Sequence, residues 1–162
     1  MSTTTAPVST IDLAYAETAA EVRSCFEVMR ELRPHLTSPE ELVDRIAVQK
    51  ESGYRLLAGR DSDGRVVACA GFRVCENLMH GRHLYVDDLV TLGSERARGH
   101  GERLFRFVLA AARAHGCGKV VLDTGLSNAL AHRFYFRQGM LATALRFTLP
   151  TLNKLGRQDS NL

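Results

Sequence analysis

Apolar residues recur along this chain at two spacings, one near every second residue and one at three to four, and their alternation divides it into elements. Ile11 to Tyr15 alternates and predicts a first strand. Thr18 and Glu21 have the spacing of a capping box, and Val22, Cys25, Phe26, Met29 and Leu32 follow on one helical face, with Pro34 just beyond. Ser38, Pro39 and Glu41 repeat the start signal for a second helix, whose buried stripe is Leu42, Val43, Ile46 and Ala47 and whose end is Gly53. Tyr54 to Gly59 and Arg65 to Val74 read as strands around the turn residues Asp61, Ser62, Asp63 and Gly64. A third central strand, about His83 to Thr91, runs into a glycine turn at Gly99 and Gly101. The helix after it carries Leu104, Phe105, Val108, Leu109 and Ala112 on one face and stops at Gly116 and Gly118. Lys119 to Thr124 is a short β-branched strand, Asn128 to Gln138 a helix closed by Gly139, and Met140 to Leu149 a last strand.

The predicted order is therefore β, α, α, β, β, β, α, β, α, β, a mixed α/β domain over residues 10–150 with frayed ends at 1–9 and 151–162. An apolar fraction of 45% against 24% charged residues gives such a domain an ordinary core and excludes disorder. The four cysteines form no C-x-x-C pair and match no zinc spacing with the histidines, which predicts reduced thiols and no metal. The start of the chain lacks the basic and apolar runs of a secretory signal, and no stretch reaches membrane-spanning length. The expectation is a cytoplasmic protein that does not engage a membrane. A net charge of +3 with scattered arginines gives nucleic-acid binding no support.

The chemistry concentrates in Arg96-Ala97-Arg98-Gly99-His100-Gly101-Glu102-Arg103, between a strand and a helix. Glycines there let successive N–H groups converge on an anion, and the helix adds its unpaired N–H groups and positive dipole end. A tight strand-to-helix turn also needs glycine for structural reasons alone. Glu102 and Arg103 after Gly101 exclude a P-loop, and Leu104 stands where a dinucleotide fingerprint needs its third glycine.

Arg96-x-x-Gly99-x-Gly101 after Tyr85 to Thr91 resembles the R/Q-x-x-G-x-G/A signature of the GNAT acetyltransferase superfamily. Downstream, Asn128, Ala131, Phe134, Tyr135, Gly139 and Met140 resemble that family's N-x-x-A-x-x-F-Y-x-x-x-G-F segment, with Met140 in place of Phe. The resemblance implies a GNAT fold, a mixed but mostly antiparallel sheet with a V-shaped splay between two parallel strands and about four flanking helices. It also implies acetyl-CoA as cosubstrate and a small-molecule or peptide amine as acceptor. Backbone groups of Leu89, Val90 and Thr91 would face the pantetheine, Arg96 and Arg98 to Arg103 (Gly99, His100, Gly101 and Glu102 included) would hold the pyrophosphate, Asn128 would bind the pantetheine side, and Tyr135 would sit near the sulfur.

Asp87 and Asp88 interrupt an apolar strand, which is unfavourable unless they are exposed or used. Strict alternation places them on opposite faces. Either one is solvated and the other bonds a loop, or one is the general base or anchor for the amine. His100 reads as a solvated residue of the turn, Arg133 and Arg137 as exposed, and Cys117 has no activating base beside it. Glu40, Glu41 and Asp44 at the start of the second helix make a cationic acceptor conceivable, or serve the helix dipole. The expected reaction is direct attack of a neutral amine on the thioester, with Tyr135 as acid; the alternative is a non-catalytic acyl-CoA-binding module. A homodimer is left open.

Overall fold

The structure, a computed structural model, describes residues 10–152 and divides into two compact units, Met1–Asp123 and Thr124–Leu162. The first holds a five-stranded sheet in the order β1 (Asp12–Tyr15), β2 (Arg55–Arg60), β3 (Val66–Asn77), β4 (Gly81–Thr91), β5 (Lys119–Leu122). Neighbours are antiparallel except β4 and β5, which are parallel. This mixed sheet agrees with the fold class expected from the pattern.

One face of the sheet carries α1 (Ala19–Ser24), α2 (Phe26–Leu32) and α3 (Pro39–Lys50), whose Val22, Val28, Met29, Leu42 and Ile46 pack with Tyr54, Leu56, Cys69 and Val90. The other face packs Leu57, Val67, Ala70, Phe72, Leu84 and Val86 against Leu104, Val108 and Ala112 of α4 (His100–Ala114). Turn and cap chemistry hold as the residue types require. Thr18 and Glu21 close a capping box, Ser38 caps α3 with Pro39 in its first turn, and Asp61 accepts from the N–H groups of Asp63 and Arg65.

Two details of the first unit differ from the pattern. The expected first helix breaks at Cys25 into α1 and α2, because the Ser24 hydroxyl (2.5 Å) and the Cys25 thiol (3.4 Å) both bond the Glu21 carbonyl, while the Cys25 N–H turns to Val22. Side chains that compete for a helix carbonyl in this way favour a break. Ala47 is exposed, so the α3 stripe narrows to Leu42 and Ile46 with Val43 at its edge.

The second unit contains α5 (Ala129–Arg137), capped by Asn128, whose side chain accepts from the Ala131 N–H at 3.2 Å. The last expected strand, Met140 to Leu149, does not form, and Leu141, Leu145, Phe147 and Leu149 are exposed. A strand needs a ladder partner as well as an alternating sequence, and this segment has none among the described residues. Of the expected frayed ends, 1–9 and 151–162, residues 1–9 and 153–162 lie outside the described residues.

Candidate active site

β4 and β5 pair only from His83↔Lys119 to Val86↔Leu122, so from Asp87 to Thr91 the β5-side edge of β4 has no strand partner among the described residues. On its other side β4 remains laddered to β3, through Leu89↔Ala70, Val90↔Cys69 and Thr91↔Ala68. The backbone of Leu89, Val90 and Thr91 thus lies on a half-open strand, where free N–H and C=O groups are available to an extended ligand.

After β4 the chain makes a single 3₁₀ turn, Gly93–Glu95, and then two left-handed residues, Ala97 at φ 62° and Gly99 at φ 82°. Gly99 is the N-cap of α4 and supplies no side-chain bond. The first intrahelical bond comes from Arg103 N–H to Gly99 O at 3.1 Å, so the N–H groups of His100, Gly101 and Glu102 point out of the helix without a carbonyl partner in it. Arg96 reaches Glu31 (3.9 Å), Arg98 reaches Glu95 (3.3 Å), and Glu102 is held by Arg106 (2.7 Å). His100 is buried, 2% exposed, with Nε2 3.4 Å from Glu95. This corrects its reading as a solvated turn residue: the first turn of α4 packs its ring inward.

Asp87 and Asp88 share a face. The β3–β4 register passes from Phe72↔Val86 to Gly71↔Asp88, leaving Asp87 as the extra residue of a bulge. The bulge reverses the alternation: Val86 packs on the α4 side, whereas Val90 packs on the side of α1 to α3. Both carboxylates, with Tyr85, therefore line one cleft of about 330 Å³, walled by Met29, Arg33 and Leu36 near the end of α2 and by Leu42, Arg45 and Ile46 of α3.

Each carboxylate is held by cations or hydroxyls. Asp87 accepts a two-pronged bond from Arg73, at 2.6 and 3.0 Å, which pushes the guanidinium further up from its already high pKa. Asp88 accepts from Arg33 Nε at 2.9 Å and from the Tyr54 hydroxyl at 2.8 Å. Burial, then the charge of Asp88, holds the Tyr54 phenol well above its usual range. Arg33 also donates to the Asp87 carbonyl at 2.8 Å. Tyr85 donates a short hydrogen bond to Asp123, just past the end of β5.

Tyr135 and Asn128 belong to the second unit. Burial pushes the Tyr135 phenol up, and its ring meets Phe134 edge-on with centroids 5.3 Å apart. Arg133 and Arg137 are exposed, as the sequence suggests. Among the described residues no group of three or more His, Cys, Asp or Glu could hold a metal ion, and no helix is long and apolar enough to cross a membrane.

Sequence reasoning missed Arg33, Arg45, Tyr54 and Arg73. Arg73 could have been found, since a β3–β4 hairpin register sets it opposite Tyr85, diagonal to Asp87. Arg33 lies 55 residues from Asp88, and no local signal ties them.

A half-open strand leads through left-handed residues into an uncapped helix in this α/β scaffold, a geometry with outward N–H groups able to meet an anion, and the comparisons give it a family. The acetyltransferase (GNAT) family model matches residues 17–140. The chain is 37% identical over 113 residues to an uncharacterized N-acetyltransferase, YhdJ, of Bacillus subtilis strain 168, covering 68% of this chain and 77% of that one. The chain belongs to the GNAT acetyltransferase family. A Trypanosoma brucei acetyltransferase superposes with a TM-score of 0.72 at 22% identity, over 87% of this chain and 99% of its own. The structure of AAC(6')-Iy in complex with a bisubstrate analogue, CoA-S-monomethyl-acetylneamine, gives 0.73 at 16% identity, over 90% and 100%. The family and the relative support acetyl transfer as the activity.

Proposed function

We propose that this chain is an acetyl-CoA-dependent N-acetyltransferase that moves the acetyl group directly to a primary amine, without an acyl-enzyme. The observation that carries this reading is the α4 entry: three outward N–H groups, no capping side chain and a left-handed Ala97 just before them. A non-glycine residue in that conformation costs about 1–2 kcal/mol, a strain the fold keeps where the loop must curl around a ligand. The residues fit a pyrophosphate, with the N–H groups of the Arg98–Arg103 stretch that precede the first intrahelical bond donating and Arg96, Arg98 and Arg103 supplying charge. Leu89, Val90 and Thr91 offer their open edge to the pantetheine arm, and backbone N–H near Leu89 or Val90 to the oxyanion. By the family resemblance Asn128, whose side-chain oxygen is taken by the Ala131 N–H, would donate its amide NH₂ to that arm, and Tyr135, whose phenol burial pushes up, would donate toward the departing thiolate.

The acceptor amine takes the cleft beside Asp87 and Asp88. An alkyl ammonium near pKa ~10.4 and a carboxylate near ~3.9 differ by roughly 9 kcal/mol in proton transfer, and both carboxylates already accept from arginine. Their part is to position the cleft, and the ammonium proton leaves to water. The four cysteines are free thiols, which suits a reducing compartment and a cytoplasmic enzyme.

Gly101→Glu tests the reading. A carboxylate in the first turn favours the helix but opposes a pyrophosphate there, so melting temperature should hold or rise while CoA affinity by calorimetry falls at least a hundredfold. Unchanged affinity in the folded variant would sink the phosphate site. CoA binding by the wild type without acetylation of any amine in a broad panel would leave only a binding module.

A further inference from the structure

Resting on the transferase reading, the donors and acceptors of the cleft point further, to the class of acceptor. The acidic start of α3 leaves a cationic amine conceivable, but the structure turns those carboxylates elsewhere. Glu40 pairs with Arg23 at 3.2 Å. Glu41 accepts from the Thr37 N–H (2.7 Å), the Thr37 hydroxyl (2.8 Å) and Arg45 Nε (2.9 Å), and these bonds, the Thr37 backbone bond foremost, hold its carboxyl down to about 2. Neither glutamate lines the cleft, nor does Asp44.

Inside the cleft, every carboxylate oxygen already accepts a hydrogen bond, while arginine donors remain open. Both oxygens of Asp87 take Arg73, and the two oxygens of Asp88 take Arg33 and Tyr54. Arg45, in contrast, commits only Nε, to a Glu41 carboxylate that Thr37 also holds, and both its Nη groups are unbonded among the described residues. Arg33, which lines the same cleft, commits Nε and Nη2 and keeps Nη1. Both arginines line the cleft and are about half exposed, at 43% and 57% of their side chains, so a ligand can reach them. A ligand bringing only positive charge would meet two guanidiniums and no uncommitted carboxylate.

We propose that the acceptor amine carries an anionic oxygen group, a carboxylate or a phosphate, bound by the free edge of Arg45 with Arg33 beside it. A guanidinium fork held at one nitrogen suits such a planar or tetrahedral oxyanion. The cleft volume of about 330 Å³ lies at the lower end for ligand sites, which suits a small-molecule acceptor. Met29, Leu36 and Ile46 offer its remaining surface an apolar wall.

The test uses matched acceptors with the whole chain and acetyl-CoA: L-leucine against 3-methylbutylamine, phosphoethanolamine against ethanolamine, and spermidine as a purely cationic amine. Thiol release gives kcat/KM, and calorimetry with CoA present gives acceptor affinity without turnover. One anionic member should exceed its neutral-tailed partner tenfold or more, the pair that does so telling carboxylate from phosphate, and Arg45→Gln should erase that ratio at unchanged melting temperature. Equal use of both members, a preference for spermidine, or a ratio that survives Arg45→Gln overturns the inference while leaving the transferase reading intact. Arg45-dependent binding of an anionic amine with no turnover of any acceptor keeps the inference and removes the transferase reading. If the anionic members show neither binding nor turnover, the inference is overturned.

Discussion

Gly71→Ala is the substitution whose cost the structure states most directly. Gly71 lies opposite Asp88 at the bulge, and the Tyr54 ring rests against it. A Cβ there would stand 2.7 Å from Tyr54 Cε2, and closer still to Cζ and the hydroxyl oxygen. The ring cannot swing out, since Tyr54 is 1% exposed within the core under α1 to α3, and any retreat breaks the 2.8 Å bond to Asp88. Overpacking of this kind costs about 1–3 kcal/mol, and loss of a hydrogen bond to a charged group about 1.5–3, so the sum is roughly 2.5–6 kcal/mol. For a chain of this size that corresponds to a melting temperature lower by roughly 5–24 °C. Circular dichroism melts of Gly71→Ala, Tyr54→Leu and the double variant check the assignment as a cycle. In the Tyr54→Leu background the added methyl group should cost less than about 1 kcal/mol, because the atoms it would meet are gone. A Gly71→Ala variant melting within about 2 °C of the wild type, or a full cost persisting beside Leu at position 54, would refute the steric argument.

Two further outcomes follow from the phenols. Tyr135→Phe keeps the ring and its contact with Phe134, so kcat should fall about tenfold or more at unchanged stability and CoA affinity; wild-type kcat where chemistry limits the rate would remove its role as acid. The folded-state pKa of Tyr54 is raised, so the unfolded chain loses that proton first. Its contribution is intact below about pH 10 and declines above it by roughly 1.4 kcal/mol per pH unit until the folded phenol titrates. Urea unfolding at pH 9 and pH 11 should show the wild type losing more stability than Tyr54→Phe, and equal losses would contradict the assignment.

What the sequence determines by itself is whatever a few neighbouring residues can decide. The capping box at Thr18 and Glu21, the Ser38 cap with Pro39, the Asp61 turn and the amphipathic face of α4 all rest on interactions within about four residues, and each stands in the structure where the residue types put it. The glycine signature before α4 belongs to the same class, since backbone freedom at Gly99 is a local property. Only the tertiary structure decides the rest. Strict alternation separates Asp87 from Asp88, and one extra residue in the β3–β4 register unites them, because register is fixed by pairing across strands and by burial on both faces. Arg33 and Tyr54 meet Asp88 from 55 and 34 residues away. Met140 to Leu149 has the alternation of a strand yet forms none, because its backbone groups need a partner that no local pattern supplies.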